Sequence, residues 1–116
     1  MVEKANTILA EASASLKIDA PDGSVLMAYE AMLIAAKAVL AKDGYREKSH
    51  YCVVVYLKEK YVDVGKINKA TIELFDHYRS LRHMVAYDSE FMASREDAEQ
   101  AIKDGSRIVA EIKKLI

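Results

Sequence analysis

The sequence contains few residues that interrupt helices and strands, and only one cysteine. Among its 116 residues it has one proline, four glycines, one cysteine and no tryptophan. So little proline and glycine excludes collagen-like and low-complexity chains, and a hydrophobic content of 52% excludes intrinsic disorder. Cys52 alone forms neither an intrachain disulfide nor a cysteine-based zinc site. A chain of this length has the size of one domain, so we expect residues 1–116 to form a single domain.

The sequence also lacks an excess of one charge and any long hydrophobic run. Its 17 basic and 18 acidic residues give a net charge of −1, whereas general binders of nucleic acid or anionic membranes carry a positive excess. The longest apolar runs, Ala31–Ala36 and Cys52–Leu57, are far shorter than the ~18 residues of a membrane span. The N-terminus carries no apolar run fit for a signal peptide. We therefore expect a cytoplasmic protein with a free thiol and no membrane partner.

Apolar side chains recur at helical spacing along the whole chain. Steps of three and four residues predict five helices: Glu3–Leu16, Ser24 to about Lys42, Ser49–Tyr61, Asn68 to about Asp88, and Ser94–Ile116. The expected N-terminal caps of the last four are Asp22 or Ser24, then Ser49, Asn68 and Ser94. Short turns such as Asp43-Gly44 separate the helices. The predicted fold is all-α: a single antiparallel bundle of about five helices.

The third predicted helix is the ambiguous element. Cys52–Tyr56 is β-branched and aromatic, which by itself favours a strand. No other segment alternates in hydrophobicity to provide a partner strand, so we predict a helix. Within it we expect Cys52 to be a small buried hydrophobe rather than a nucleophile. Four methionines are also expected to fill the core: Met27, Met32, Met84 and Met92.

One segment of the fourth helix stands out by its charge. Between Asp76 and Asp88 it holds two arginines and two of the three histidines, but no acidic residue. At about 100° per residue, four of its side chains share a polar stripe beside the apolar face. They are Arg79, Arg82, His83 and Tyr87. Arginine suits phosphate, histidine exchanges protons near neutral pH and tyrosine stacks on bases, so the stripe is a candidate site for a nucleotide or RNA.

Two further interpretations of this stripe stay open at the level of sequence. Arginine and histidine on the flank of an amphipathic helix are typical of a solvated face with local ion pairs, here to Asp76 or Asp88. A metal site finds little support, because His77 and His83 are six residues apart and point in different directions. The sequence has no HExxH, Walker, GxGxxG or GxSxG motif. We therefore predict no metal and no cofactor.

A string in the second and third helices resembles a known family. Ala28-Tyr29-Glu30-Ala31-Met32 is followed by the alanine-rich run 35–40, by Gly44 and then by His50. This order is similar to the small HEPN proteins (higher eukaryotes and prokaryotes nucleotide-binding). In those proteins an A-Y-x-A-M segment leads into an alanine-rich run, a loop and a third helix that carries histidine. The similarity extends from about Val25 to Ile116.

The resemblance implies a fold and a site. HEPN domains are helical bundles that commonly pair as homodimers, and members with a complete R-x(4–6)-H motif are often metal-independent RNases of toxin–antitoxin systems. Here Arg82 matches the arginine, His83 follows it, and Tyr87 stands in place of the motif histidine, before Asp88. The motif is therefore degenerate. We expect weak or absent RNase activity, because a tyrosine of ordinary pKa is a poor general base at neutral pH.

The resemblance also implies partners. Many small HEPN proteins that lack the full motif are encoded beside a minimal nucleotidyltransferase. The leading hypothesis is a cytoplasmic homodimer that binds a nucleotide or nucleic acid, with a nucleotidyltransferase partner, in a module like a toxin–antitoxin pair. In it, Arg82 and Arg79 contact phosphate, His83 and Tyr87 orient or stack the ligand, and Asp88 holds Arg82 or the start of the next loop.

Two alternatives belong to other functional classes. The first is a metal-independent RNase toxin, with His83 as acid or base and Arg82 stabilising the phosphate. The second is a purely structural dimerisation module, in which the arginine stripe seals the interface.

Overall fold

The five predicted helices are confirmed. A computed structural model describes residues 2–116, and within that range the regular structure is helical, with no strand. The helices are α1 (Val2–Lys17), α2 (Pro21–Lys42), α3 (His50–Leu57), α4 (Lys69–Tyr87) and α5 (Arg95–Lys113). Each lies within a few residues of its predicted bounds, so the all-α prediction holds and the segment around Cys52 is a helix.

Helix α2 is the centre of the bundle and contacts all four other helices. Its small and aliphatic residues are buried around most of its circumference, because neighbours cover it on several sides. Its 22 residues are long and apolar enough to cross a membrane by composition, yet 67% of the apolar window is buried inside the bundle. That burial is the behaviour of a core helix. The largest fully buried side chains come from α2 to α5: Tyr29, Met32, Leu33, Leu57, Phe75, Ile108 and Ile112.

Three of the four predicted caps are present. The Ser49 side chain accepts the backbone N–H of Cys52, and the Asn68 side chain accepts that of Ala70. Ser94 and Asp97 form a reciprocal capping box at the start of α5. Such caps satisfy backbone donors that a helix leaves free at its first turn.

The predicted cap of α2 is wrong. The helix begins at Pro21, after Ala20, without a side-chain cap. The two candidates form tertiary contacts instead: Asp22 accepts the backbone N–H of Ala93 at 2.7 Å, and the Ser24 hydroxyl donates to the Ala12 carbonyl at 2.8 Å. Proline at the first helical position lacks one of the donors that a cap would satisfy, so α2 starts without one.

Helix α3 ends in a feature that periodicity did not predict. After Leu57 the chain continues as a π-helical segment, Lys58–Val62. This segment and α3 present two tyrosine hydroxyls to one carboxylate at the end of α2. Tyr56 donates to Asp43 at 2.8 Å and Tyr61 donates to the same oxygen at 2.5 Å. The contact fixes the end of α2 against the third helix.

Two predictions of burial are also wrong. Cys52 is exposed, and its sulfur accepts the Ser49 hydroxyl at 3.2 Å, because it lies on the solvent side of α3 while Val53 faces the core. Met84 and Met92 are 41% and 81% exposed, near the end of α4 and in the loop that follows it. Met32 alone of the four expected core methionines is fully buried.

Candidate functional site

The polar stripe of α4 lies along one side of the bundle, at the edge of the core. Phe75 and Tyr78 point inward and are buried. Arg79 and Arg82 are half-buried, whereas His83 and Tyr87 are exposed. The four side chains therefore lie on one side of α4, but they differ in how far they are buried.

Arg79 is engaged by its neighbours. Its Nε donates to Asp76 Oδ1 at 2.7 Å, and its guanidinium carbon lies 5.1 Å from the centre of the Tyr51 ring. An i,i+3 ion pair of this kind is the local pairing expected on a solvated helix face. Because Asp76 already neutralises much of its charge, Arg79 is the weaker anion ligand of the two arginines.

Arg82 has a different environment. Within residues 2–116 its guanidinium makes no hydrogen bond or ion pair, and its carbon lies 5.6 Å from the centre of the Tyr87 ring, a cation–π contact. Arg82 lines an open groove of about 360 Å³ between α1, α2 and α4. The other lining residues are Ile8, Glu11, Leu26, Met27, Glu30 and Ala86. The N–H donors of Arg82 are thus available to a ligand in this groove.

His83 and Tyr87 contact each other on the surface. Their ring centres are 4.8 Å apart, and Tyr87 is 67% exposed. Neither residue lines the groove of Arg82. The structure therefore brings Tyr87 to Arg82 through the ring contact, but leaves His83 on the outer face of the helix.

Of the two roles expected for Asp88, the structure shows the contact at the start of the next loop and not the pairing with Arg82. Asp88 ends α4, where its carboxylate accepts the backbone N–H of Glu90 at 3.0 Å. Its own backbone N–H donates to the Met84 carbonyl. Among the residues that the structure describes, no ion pair joins Asp88 to an arginine. The turn after α4 directs this side chain toward the backbone N–H of Glu90.

Tyr29 of α2 and His50 of α3 contact each other, and neither lines the groove of Arg82. Their ring centres are 5.8 Å apart, and the Tyr29 ring also stacks on Phe75 at 5.8 Å. Tyr29 is fully buried, and its hydroxyl is the only buried side-chain oxygen or nitrogen without a hydrogen-bond partner in the described part of the chain. A buried hydroxyl without a partner is uncommon and costs free energy.

Charge and burial link Tyr29 and His50 to the two arginines. Burial raises the pKa of Tyr29 to about 12, and the positive charges of Arg79 and Arg82 oppose that rise. Burial also lowers the pKa of His50, and the charges of Arg82 and Lys37 lower it further. Glu30 and Glu47 act on His50 in the opposite direction. Both shifts favour the neutral form of the ring.

Periodicity alone did not identify these two residues. In the sequence, Tyr29 and His50 appear only within the string that resembles the family, and both belong to other helices than the charged stripe. One signal was present: a tyrosine in the middle of a core face carries a hydroxyl that requires a partner. The approach of α3 to α4 is a tertiary contact that sequence spacing does not contain.

The groove places one guanidinium, that of Arg82, among two acidic lining residues, Glu11 and Glu30. Within residues 2–116 no group of three or more histidine, cysteine, aspartate or glutamate side chains lies close enough to hold a metal ion. A guanidinium with free donors suits phosphate or carboxylate oxygens.

The family model described as HEPN domain matches residues 1–115, nearly the whole chain. No curated protein matches the sequence. The match confirms the resemblance drawn from the second and third helices, and extends it to α1, which that comparison did not include.

Proposed function

The chain belongs to the HEPN domain family, and on that premise we propose that it binds a nucleotide or nucleic acid at the end of α4 that carries Arg82. Family membership indicates a function related to nucleotides or RNA. Beyond this family-level function, we propose that the binding surface is the end of α4. We further propose that residues 1–116 are one domain that acts as a cytoplasmic homodimer.

The observation that carries the proposal is the state of Arg82. A half-buried charge is costly unless a partner compensates it, and within the described residues Arg82 has only the face of Tyr87. A phosphate in the groove would replace that weak contact by charge-assisted hydrogen bonds. Tyr87, exposed beside it, is available to stack on a base.

Exposed apolar side chains near the same end of α4 support the homodimer. Met84 and Met92 are 41% and 81% exposed. Exposed apolar surface of this kind often marks a protein–protein interface. Pairing through this end would place the two copies of Arg82 on one shared surface.

The nucleotidyltransferase partner and the toxin–antitoxin-like role rest on the degenerate motif. Tyr87 in place of the motif histidine resembles the HEPN proteins that act beside such a partner. The RNase alternative gains no support from the geometry, because His83 lies outside the groove and its ring contact is with Tyr87. The remaining alternative is a structural module. It is supported if the experiment below shows that ligand binding does not depend on Arg82.

The experiment compares ligand binding by the parent and by Arg82→Ala. We expect the variant to bind AMP and a single-stranded RNA oligonucleotide about ten- to a hundredfold more weakly, because it loses hydrogen bonds to a charged group. Calorimetry and fluorescence anisotropy measure the two affinities.

Arg107→Ala is the matched control, because Arg107 is exposed on α5 and forms no ion pair within residues 2–116. It should bind both ligands as the parent does. Equal affinities of the parent and Arg82→Ala would refute the proposed site and leave a structural module.

A further inference from the structure

A second groove, separate from that of Arg82, lies between α1 and α5. The end of α1 lies beside the start of α5, and Leu9 lies beside Gly105 further along, so the two helices run antiparallel. The groove between them has a volume of about 340 Å³. Its lining residues are Ser13, Leu16 and Lys17 of α1 and Arg95, Glu99, Ile102 and Lys103 of α5. None of them lines the groove of Arg82.

The floor of the groove is apolar, and its two walls are joined to each other. Leu16 is buried apart from 9% of its surface, and Ile102 is half-buried against the core. Arg95 Nη1 donates to the Leu16 carbonyl at 3.3 Å, which connects the start of α5 to the end of α1. A groove between two packed helices is a shape that accepts the apolar face of a further helix.

The rim of the groove is positively charged, although the chain as a whole carries a net charge of −1. Three cations, Lys17, Arg95 and Lys103, accompany one carboxylate, that of Glu99. Arg95 pairs with Glu99 at 3.2 Å, so these two charges compensate each other. Within residues 2–116 neither lysine forms a hydrogen bond or an ion pair. The apolar floor therefore has an uncompensated positive charge on each wall.

We propose that this groove binds an acidic amphipathic segment of a partner protein. Apolar side chains of the segment cover Leu16 and Ile102, and its carboxylates pair with Lys17 on one wall and Lys103 on the other. Ile18, which follows Lys17, is 78% exposed and extends the apolar surface past the end of α1. This interaction surface is distinct from the site of Arg82 and does not depend on it.

The lining of the groove favours a protein segment over RNA, which the same lysines also attract. Proteins that bind single-stranded RNA provide aromatic side chains on which bases stack. Among the described residues, none that lines this groove is aromatic, and the one arginine is already paired with Glu99. An aliphatic floor between two lysines instead matches a helix face that carries leucine and glutamate.

The experiment uses two synthetic peptides that form amphipathic helices with leucines on the apolar face. Glutamate flanks the leucines in one peptide, and lysine flanks them in the other. We expect the full chain to bind the glutamate peptide and not the lysine peptide. Fluorescence anisotropy of the labelled peptides measures both affinities. Added sodium chloride should weaken the binding, because Lys17 and Lys103 are exposed and salt screens their charge.

Charge reversal tests the role of the two lysines. Lys17→Glu/Lys103→Glu should bind the glutamate peptide about tenfold more weakly and should gain affinity for the lysine peptide, because two attractions become repulsions. The matched control is Lys48→Glu/Lys60→Glu. Both of these lysines are exposed, lie outside the groove and form no ion pair in the described part of the chain. The control changes the net charge equally and should bind as the parent does.

A third variant tests the apolar floor. Ile102→Ala should weaken binding of the glutamate peptide about fivefold, because it removes apolar surface that the peptide covers. Thermal denaturation establishes that the variant is folded at the temperature of the titration. An unchanged affinity of the folded variant would show that the peptide does not lie on the floor, and would overturn the proposal.

Other results would also overturn it. They are a parent chain that binds neither peptide or both equally, and a charge-reversed variant that loses RNA but keeps the glutamate peptide. If charge reversal instead converts a dimer into a monomer, the groove is occupied by a second copy of the chain and not by a partner protein. Arg82→Ala should bind the glutamate peptide as the parent does, so failure of this proposal and failure of the proposed function are distinguishable.

Discussion

Gly105 determines how closely α5 packs against the first two helices. It is buried, and a Cβ at this position would lie 3.2 Å from Leu9 Cδ2 and 3.3 Å from Met32 Cε. Both distances are shorter than ordinary van der Waals contact. In the sequence this glycine is an interruption that costs about 1 kcal/mol of helix propensity. The close packing of the helices explains why a glycine occupies position 105.

We therefore predict that Gly105→Val destabilises the protein by about 1–3 kcal/mol, the usual cost of overpacking a core. Urea denaturation measures the free energy of unfolding. Ser106→Val, the same β-branched side chain at the exposed neighbouring position, should change it by no more than about 0.5 kcal/mol. Equal stability of the two variants would show that α5 is not held so close.

Single residues were also where sequence reasoning was least successful. The motif arginine, Arg82, could be identified because its type and position match the family pattern. Burial of Cys52 was predicted wrongly, because one β-branched run does not reveal which side of a short helix faces solvent. The sequence left two roles open for Asp88 for a related reason: the direction of its side chain depends on the turn after α4, where it accepts the backbone N–H of Glu90.

At the scale of the elements, Asp43 connects the end of α2 to the third helix. Hydrogen bonds from Tyr61 and Tyr56 lower the pKa of the Asp43 carboxyl, and the charges of Lys42 and Lys66 add to this. A carboxyl whose pKa is lower in the folded state contributes stability above its unfolded pKa, about 3.9. That contribution is lost as the pH falls through the lower folded pKa.

We predict that Asp43→Asn lowers the melting temperature at pH 7, and that the difference from the parent shrinks as the pH falls below about 4. Thermal denaturation across this range measures it. Asp63→Asn is the control, because the Asp63 side chain forms no hydrogen bond or ion pair within the described residues. A difference between Asp43→Asn and the parent that stays constant with pH would show that the ionised Asp43 carboxylate does not stabilise the fold through these hydrogen bonds.

The bounds of the helices were predictable because they depend on local chemistry. Ser49, Asn68 and Ser94 cap their helices through side chains only a few residues away. The π-helical segment Lys58–Val62 was not predictable, because helical spacing continues through it. The start of α2 was also missed, since Asp22 and Ser24 are used in contacts with Ala93 and Ala12, which are distant in sequence.

At the scale of the whole molecule, α2 provides the scaffold and the end of α4 provides the proposed working surface. The apolar bulk of α2 is covered by the other helices, so the fold follows from hydrophobic patterning. The site could be predicted only in part. The stripe on α4 belongs to one helix and is visible in its periodicity, whereas the contact between Tyr29 and His50 joins two helices through packing.

The proposed surface combines a ligand site with an interface. Arg82 lines the groove, and Met84 and Tyr87 are exposed on the same end of the helix. A homodimer formed there would hide apolar side chains and bring two arginines to one RNA strand. Pairing and RNA binding should therefore be separable by substitutions that lie within one turn of each other.

Sedimentation velocity with a labelled single-stranded RNA oligonucleotide tests both properties in one measurement. At micromolar concentration we expect the parent to sediment as a dimer with RNA bound. Arg82→Ala should remain a dimer without RNA, and Met84→Ser should shift toward monomer, whereas Val64→Ser, at an exposed apolar residue in the loop after α3, should behave as the parent. A parent chain that sediments as a monomer, with the RNA free in solution, would contradict the proposed function.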